Sequence, residues 1–282
     1  MNRFFIILLS ITTACFALYE EQAEPARVLG MGSVVVAAGE GVSAIAFNPA
    51  IAAGIERYSI AGTYSSRWSL DGFTEYSAAF AVPTDIINIA ASWHERSVVD
   101  VYGERTASLL FARKLVRDLD IGLAMKLFMT SAPGAETWAD PAYDGPSYNL
   151  CADIGILYSP VPKWRFGLAT RSLGEPDIQL LESTENPDSP GGQIAIGAAW
   201  EVAEDFILAT DIVSKEGNLQ KWTPRIGMEI AFFDVLKVRA GSKGERLALG
   251  AGLEAKNWAF DVGLTNHRWL GNIYRFTLEL NY

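Results

Sequence analysis

The chain has 282 residues, half of them hydrophobic, with a formal net charge of -10 and a pI near 4.8. This composition supports a large apolar burial and excludes a general nucleic-acid surface, because no concentrated Lys/Arg stripe is present to neutralise phosphates. Length alone allows one domain or two.

Met1, Asn2 and Arg3 give a basic start to the apolar run FFIILLSITTACFA, after which LYEEQAEP turns polar. The run falls short of the roughly 20 residues a spanning helix needs. Cys15-Phe16-Ala17 supplies the small residues of a cleavage site, so residues 1–17 read as an export signal. Lipidation at Cys15 is the alternative, although TTAC lacks the aliphatic residue usual three places before such a cysteine. A cut after Ala17 leaves Cys151 alone, without an intrachain disulfide.

Residues 18–55 are rich in Gly and Ala and read as a compact N-terminal hatch or plug, with short helical pieces around Gly41 to Phe47 ended by Asn48-Pro49. From 56 to 282 the pattern changes to period-two runs separated by Gly, Pro, Asp and Asn. Fourteen strands are expected, at 56–66, 72–82, 87–95, 103–113, 119–130, 148–158, 163–172, 192–201, 205–213, 224–232, 235–242, 246–254, 257–265 and 272–282.

In LDIGLAMKLFMT, Ile121, Leu123, Met125, Leu127 and Met129 share one face, against Gly122, Ala124, Lys126 and Phe128. Trp164, Phe166 and Leu168 likewise oppose Arg165, Gly167, Ala169 and Arg171, and Trp258, Phe260, Val262 and Leu264 oppose Ala259, Asp261 and Gly263. A soluble sandwich would bury the bulky faces and expose polar ones. Here the strands are many, each is long enough for a tilted membrane crossing, and the opposite face is largely Ala and Gly. The pattern therefore predicts an all-β fold: a transmembrane antiparallel β-barrel with bulky side chains facing lipid, plugged by the N-terminal segment and closed by pairing the last strand with the first.

Connections support this reading. SAPGAETWADPAYDGP, LGEPDIQLLESTENPDSPG, SKEGNLQKWT and NHRWLG are long and fall on one end, while TDII, PVPK, AED, FD and AK are short and fall on the other, with only KLVRD somewhat longer. Arg105, Lys126, Asp153, Arg165, Arg171, Asp211, Arg225, Glu229, Lys237, Arg239, Asp261, Arg275 and Glu279 are expected to point inward as a charge network tying plug to wall, with substrate contact as the alternative for some.

Chemistry finds little material. His94 is expected at the external end of a strand and His267 in an external loop, and no nucleophile elbow, phosphate-gripping loop or metal-ligand cluster accompanies them. Neither a catalytic residue, a metal nor a cofactor is expected. Trp138 and Tyr143, near Asp140 and Asp144, read as girdle or loop packing, or else as an external binding patch. In NIYRFTLELNY, Tyr274, Phe276, Leu278, Leu280 and Tyr282 face outward, as a lipid surface and a candidate assembly signal.

The stretch ARVLGMGSVVVAAGEGVSAIAFNPAIAA resembles the N-terminal region of the FadL-like superfamily of outer-membrane proteins, which includes fatty-acid and aromatic-hydrocarbon transporters and PorV/PorQ-like proteins of type IX secretion. Arg27, Gly30, Met31, Gly32, Ala44, Asn48, Pro49 and Ala50 carry the match. Asn48, Pro49 and Ala50 are the residues carried onto the hatch element. Ile51 and Ala52 depart from the Gly-Leu that often follows it, and the chain is shorter than the familiar fatty-acid transporters.

The resemblance implies a fourteen-strand barrel with a hatch in the outer membrane of a Gram-negative-type bacterium. It implies passage of hydrophobic small molecules beside a movable plug or through a lateral wall opening. The transport reading calls for an apolar cavity at the hatch and a kink or gap in the wall. A secretion-accessory or assembly role with a secretion-system protein as partner, and a mainly structural barrel, are the alternatives. Outer-membrane lipids and the barrel-assembly machinery are the remaining expected partners.

Overall fold

The structure, a computed structural model, describes residues 24–68, 72–137, 142–143, 145–174, 177–180, 189–215, 218–267 and 270–282. The expected export signal with Cys15, and Trp138, Asp140 and Asp144, lie outside the described residues.

The order is α1 (Ala26–Gly30), two 3-10 turns (Val42–Ala44 and Pro49–Gly54), β1 (Ser59–Arg67), β2 (Phe73–Val82), β3 (Asn88–Val98), β4 (Tyr102–Val116), β5 (Leu119–Ser131), α2 (Pro133–Thr137), β6 (Ser147–Val161) and β7 (Trp164–Arg171). Then follow β8 (Gln193–Ala203), β9 (Phe206–Lys215), β10 (Asn218–Phe232), β11 (Leu236–Lys243), β12 (Arg246–Ala255), β13 (Trp258–His267) and β14 (Gly271–Asn281). All fourteen strands pair antiparallel with their sequence neighbours, and β14 pairs with β1 from Ser59↔Asn281 to Arg67↔Ile273, closing the barrel.

Closure leaves no sheet edge, and the faces are inverted relative to a soluble fold. Leu123, Met125, Trp164, Phe166, Phe276 and Leu278 are exposed on the outside, whereas Ala124, Lys126, Asp153 and Arg275 are buried inside. Such a surface suits hydrocarbon as solvent, and the alternation that sets it is the one read from the sequence.

Several expectations need correction. Arg105 points outward, where it pairs with Glu95 at 3.1 Å, and Glu104 takes the buried inward position. The cause is the Leu109-Leu110-Phe111 run, which hides parity: Leu110 is the inward residue, fully buried with the plug cluster. β10 begins at Asn218 rather than 224, with a register shift between Asn218 and Trp222, and β13 and β14 extend to His267 and Gly271. Most of SKEGNLQKWT and the two ends of NHRWLG are therefore strand, and the longest connections between strands are 132–146 and 172–192. His267 ends β13 with its ring 6.0 Å from that of Trp68, and His94 is buried on the inward face of β3. At the opposite, short-turn end, Phe233 and Asp234 both take φ of 56° between β10 and β11, a left-handed pair whose twist suits a tight hairpin.

Candidate functional site

Residues 24–55 lie within the barrel and pass round the inside of its wall. α1 packs on β11 to β14, the second 3-10 turn packs on β3 to β6, and the first packs on β1, β2 and β14. What allows this fit is the absence of inward side chains where plug backbone meets wall. Gly30 meets Gly250, the Met31-Gly32 backbone meets Gly227 and Gly241, and Val36 meets Gly167 and Gly197. The Asn48-Pro49-Ala50 turn fills the space over Gly122 and Gly155; a Cβ on Gly155 would collide with Asn48 Oδ1, and one on Gly122 with the Pro49 carbonyl. Pro49 starts its 3-10 turn where a missing N–H costs nothing, and Asn48 caps it, accepting from the Ala50 N–H at 3.1 Å. The Asn48 amide also donates to the Val36 carbonyl at 2.7 Å and to the Ile156 carbonyl at 3.4 Å, joining two plug segments to β6.

Wall carboxylates hold plug backbone directly. Asp211 accepts from the N–H groups of Val35 and Val36, and Glu279 accepts from those of Val42 and Ser43 at 3.1 and 3.3 Å. Gly41, at φ 73°, precedes this second clamp, and a side chain there would strike the Glu279 carboxylate. Asn88 donates to the carbonyls of Ala52 and Ile55 at 2.9 and 2.8 Å, and Arg225 donates to the Ser33 carbonyl at 2.9 Å.

The charged residues expected inside fall into separate groups. Glu229 joins Arg27 of α1 at 2.8 Å and Arg239 at 2.5 Å, and Arg239 continues to Asp261 at 2.6 Å. Burial works against the charge on Arg27, but Glu229 and Glu40 outweigh it and raise the guanidinium pKa. Arg165 reaches Gly39 and Glu40 at the plug tip, Arg171 contacts Gln193 and lies over the Phe47 ring, and Lys237 pairs with Glu254. Lys126 and Asp153 pair with each other on β5 and β6.

A group that the sequence reading missed surrounds Glu75. This fully buried carboxylate takes Arg96 at 2.9 Å, Arg67 at 3.4 Å, Arg275 at 3.6 Å and His94 at 3.7 Å. Arg275 also donates to the carbonyl of Glu24, whose carboxylate is 3.8 Å from Lys243 and accepts from the Ser33 hydroxyl at 2.6 Å. The signal was available: Glu75, Ser77, Ala79 and Ala81 form the small and polar face of their strand. Among the described residues no group of three or more His, Cys, Asp or Glu is placed to hold a metal ion.

Two cavities open at the short-turn end, of about 510 and 470 Å³, both bordered by Glu40 and Arg165. Arg117, Asp118, Lys163 and Glu201 line the first, and Glu56, Arg57, Glu254, Lys256 and Glu279 line the second. Both are polar, unlike the apolar hatch cavity that the transport reading called for.

The wall has an irregular seam between β6 and β7. The ladder runs from Tyr158↔Phe166 to Gly155↔Ala169, and then the Ile154 N–H donates to Thr170 Oγ1 at 2.9 Å while the Ile154 carbonyl accepts from the same hydroxyl at 3.4 Å. Pairing resumes as an isolated bridge between Ala152 and Leu173.

No protein-family model matches the chain, and no curated protein matches it by sequence. Solved structures do match. The monoaromatic hydrocarbon channel CymD superposes with a TM-score of 0.69 at 11% identity, covering 94% of this chain and 99% of its own. The Ralstonia pickettii toluene transporter TbuX gives 0.65 at 13% identity, with the same coverages of 94% and 99%. A Pseudomonas aeruginosa FadL homologue gives 0.65 at 10% identity, covering 91% and 98%. The chain has the FadL-type barrel fold. At this identity it is the FadL-type architecture that is shared, so what these residues do must be argued from the residues themselves.

Proposed function

We propose that the protein passes hydrophobic small molecules across the bacterial outer membrane without converting them. The observation that carries this reading is the shared FadL-type fold over more than nine-tenths of the chain, with hydrocarbon channels among the similar structures. The plug adds support. It is held to the wall by hydrogen bonds, ion pairs and an apolar cluster but by no strand ladder, so it can shift without opening the closed sheet.

In this reading the solute is taken up at the long-loop end and passes beside the plug at the Asn48-Pro49-Ala50 turn. The short-turn cavities are bordered largely by charged and polar side chains, whereas the β6–β7 seam places a weakened ladder against lipid. Release through that seam follows from the contrast. Proteoliposomes containing the barrel are expected to take up labelled toluene faster than protein-free vesicles; equal rates overturn the reading.

A second reading rests on the polar short-turn cavities, which present a charged socket suited to a protein partner in a secretion or assembly role. It expects a defined protein to co-purify after mild membrane extraction and to be lost when Glu40 and Arg165 are both replaced by Ala. Purification of the barrel alone under those conditions overturns it.

A further inference from the structure

Lys126 and Asp153 form an ion pair that, among the described residues, makes no hydrogen bond or salt bridge to the plug. Both are almost completely buried, at 1% and 0% exposure. Asp153 Oδ1 is occupied by the Ser172 N–H at 2.7 Å. Beyond the ion pair itself, neither Lys126 Nζ nor Asp153 Oδ2 has a hydrogen-bond partner among the described residues, and the same is true of the buried Thr106 hydroxyl. Thr106 stands opposite Phe128 on the neighbouring strand, one inward position beyond Lys126. An ammonium carries three donors, so a single carboxylate leaves it under-satisfied, and a buried charge pair in that condition is costly unless something completes it. Beside the pair, Phe128, Cys151 and Ile178 form an apolar cluster separate from the plug core.

We infer that this corner is a binding site for an apolar molecule bearing one neutral hydroxyl, such as a phenol or an alkanol. The choice follows from charge. A hydrocarbon would leave donor and acceptor as they are, and a carboxylate would be drawn to Lys126 but repelled by the Asp153 carboxylate paired with it. A hydroxyl accepts from Lys126 Nζ and donates to Asp153 Oδ2 at once, with Thr106 as a further partner, while its apolar body lies on Phe128 and Ile178. The pair thus sets specificity within the transport reading, on which this inference rests.

The test uses p-cresol, toluene and benzoate, which share a ring and differ in polar group, with the purified full-length barrel in detergent and binding followed by calorimetry. The wild type is expected to bind p-cresol at least tenfold more tightly than toluene or benzoate. In the double variant Lys126→Met/Asp153→Asn, which removes both charges together and keeps an acceptor for the Ser172 N–H, p-cresol is expected to fall to the affinity of toluene while toluene is unchanged. Lys126→Arg, which keeps the ion pair but alters the donor geometry, is expected to retain only part of the preference.

Toluene bound as tightly as p-cresol by the wild type, benzoate bound more tightly than p-cresol, or a preference that survives the double variant overturns the inference. Each of those outcomes leaves hydrophobic transport standing. Binding of none of the three by a folded barrel overturns the inference, and a simultaneous failure of toluene uptake in proteoliposomes overturns the transport reading separately.

Discussion

Asp211 of β9 accepts the backbone N–H of Val35 from the plug at 2.7 Å, and its same oxygen takes the Val36 N–H at 3.0 Å. Both partners are buried, so removal of the carboxylate leaves two N–H groups without an acceptor, at about 1–3 kcal/mol each. Asp211→Ala is therefore expected to loosen residues 33–38 while the barrel stays folded. Limited proteolysis with a nonspecific protease should cut the plug of the variant at least fivefold faster than that of the wild type, with the barrel fragment intact. Equal cleavage rates would show that the clamp is dispensable.

The wall glycines make a sharper prediction because the first side-chain carbon there already meets the plug. A Cβ at Gly155 would overlap Asn48 Oδ1, with Ala50 N and Pro49 Cδ close behind, so the turn must move or the wall must bend. Closure of the sheet resists bending, since every strand is paired on both sides. Gly155→Val is expected to displace the Asn48-Pro49-Ala50 turn and to reduce toluene uptake severalfold, whereas Gly62→Ala, which meets open space, is expected to do neither. Heat-modifiable gel mobility would confirm that both variants are folded barrels. Normal uptake by a folded Gly155→Val protein would separate this turn from the solute path.

Glu24, two residues ahead of α1, is tied to Arg275, Lys243 and Ser33. Burial pushes its carboxyl pKa up, but Lys243, Arg275 and Arg225 outweigh that and hold it below the ordinary value of 4.5. A carboxylate depressed in the folded state stabilises at pH above its unfolded value, and that contribution is lost as pH falls through the folded one. Acidification below about pH 4 is thus expected to increase protease access to residues 24–33, and Glu24→Gln should show the acid-state access already at pH 7. Other carboxylates titrate in the same range, so the comparison that matters is the difference between wild type and variant. An identical pH profile for both would remove Glu24 from the acid response.

Much of this fold was legible because lipid on one side and a packed lumen on the other impose a period of two. That rule places Leu123 and Lys126 on opposite faces without any knowledge of their neighbours. It failed at Arg105, where three large residues in succession left the parity open, although it does place Glu75 inward on the Ser77, Ala79 and Ala81 face. The Gly30 to Gly32 and Asn48 to Ala50 stretches stand out in the sequence by their pattern, but what each opposes does not. The match of Gly155 to Asn48 and of Gly167 to Val36 depends on how the plug winds round the wall, and no local sequence rule contains that path. Which charges pair has the same origin. Lys126, Asp153 and Glu229 could be named as inward, yet only the register of β5 against β6 and the position of α1 decide that the first two meet each other and the third meets Arg27.

The seam between β14 and β1 carries the last prediction. Tyr282 follows the paired stretch that begins at Ser59↔Asn281, and its N–H donates to the Tyr58 carbonyl at 2.8 Å, extending closure by one step. Its ring is exposed in line with Leu278 and Leu280, and an amphipathic aromatic side chain suits a membrane interface. Asp in that position keeps the backbone bond but puts a charge where a ring met lipid, whereas Phe keeps the ring and loses only the hydroxyl. Removal of Tyr282 loses both bond and ring. Membrane insertion, read from the heat-modifiable fraction in outer-membrane preparations, is expected to fall severalfold for Tyr282→Asp and for the deletion and to remain near wild type for Tyr282→Phe. A deletion variant that inserts as well as Tyr282→Phe would show that closure is complete at Asn281 and that the aromatic ring contributes nothing to assembly.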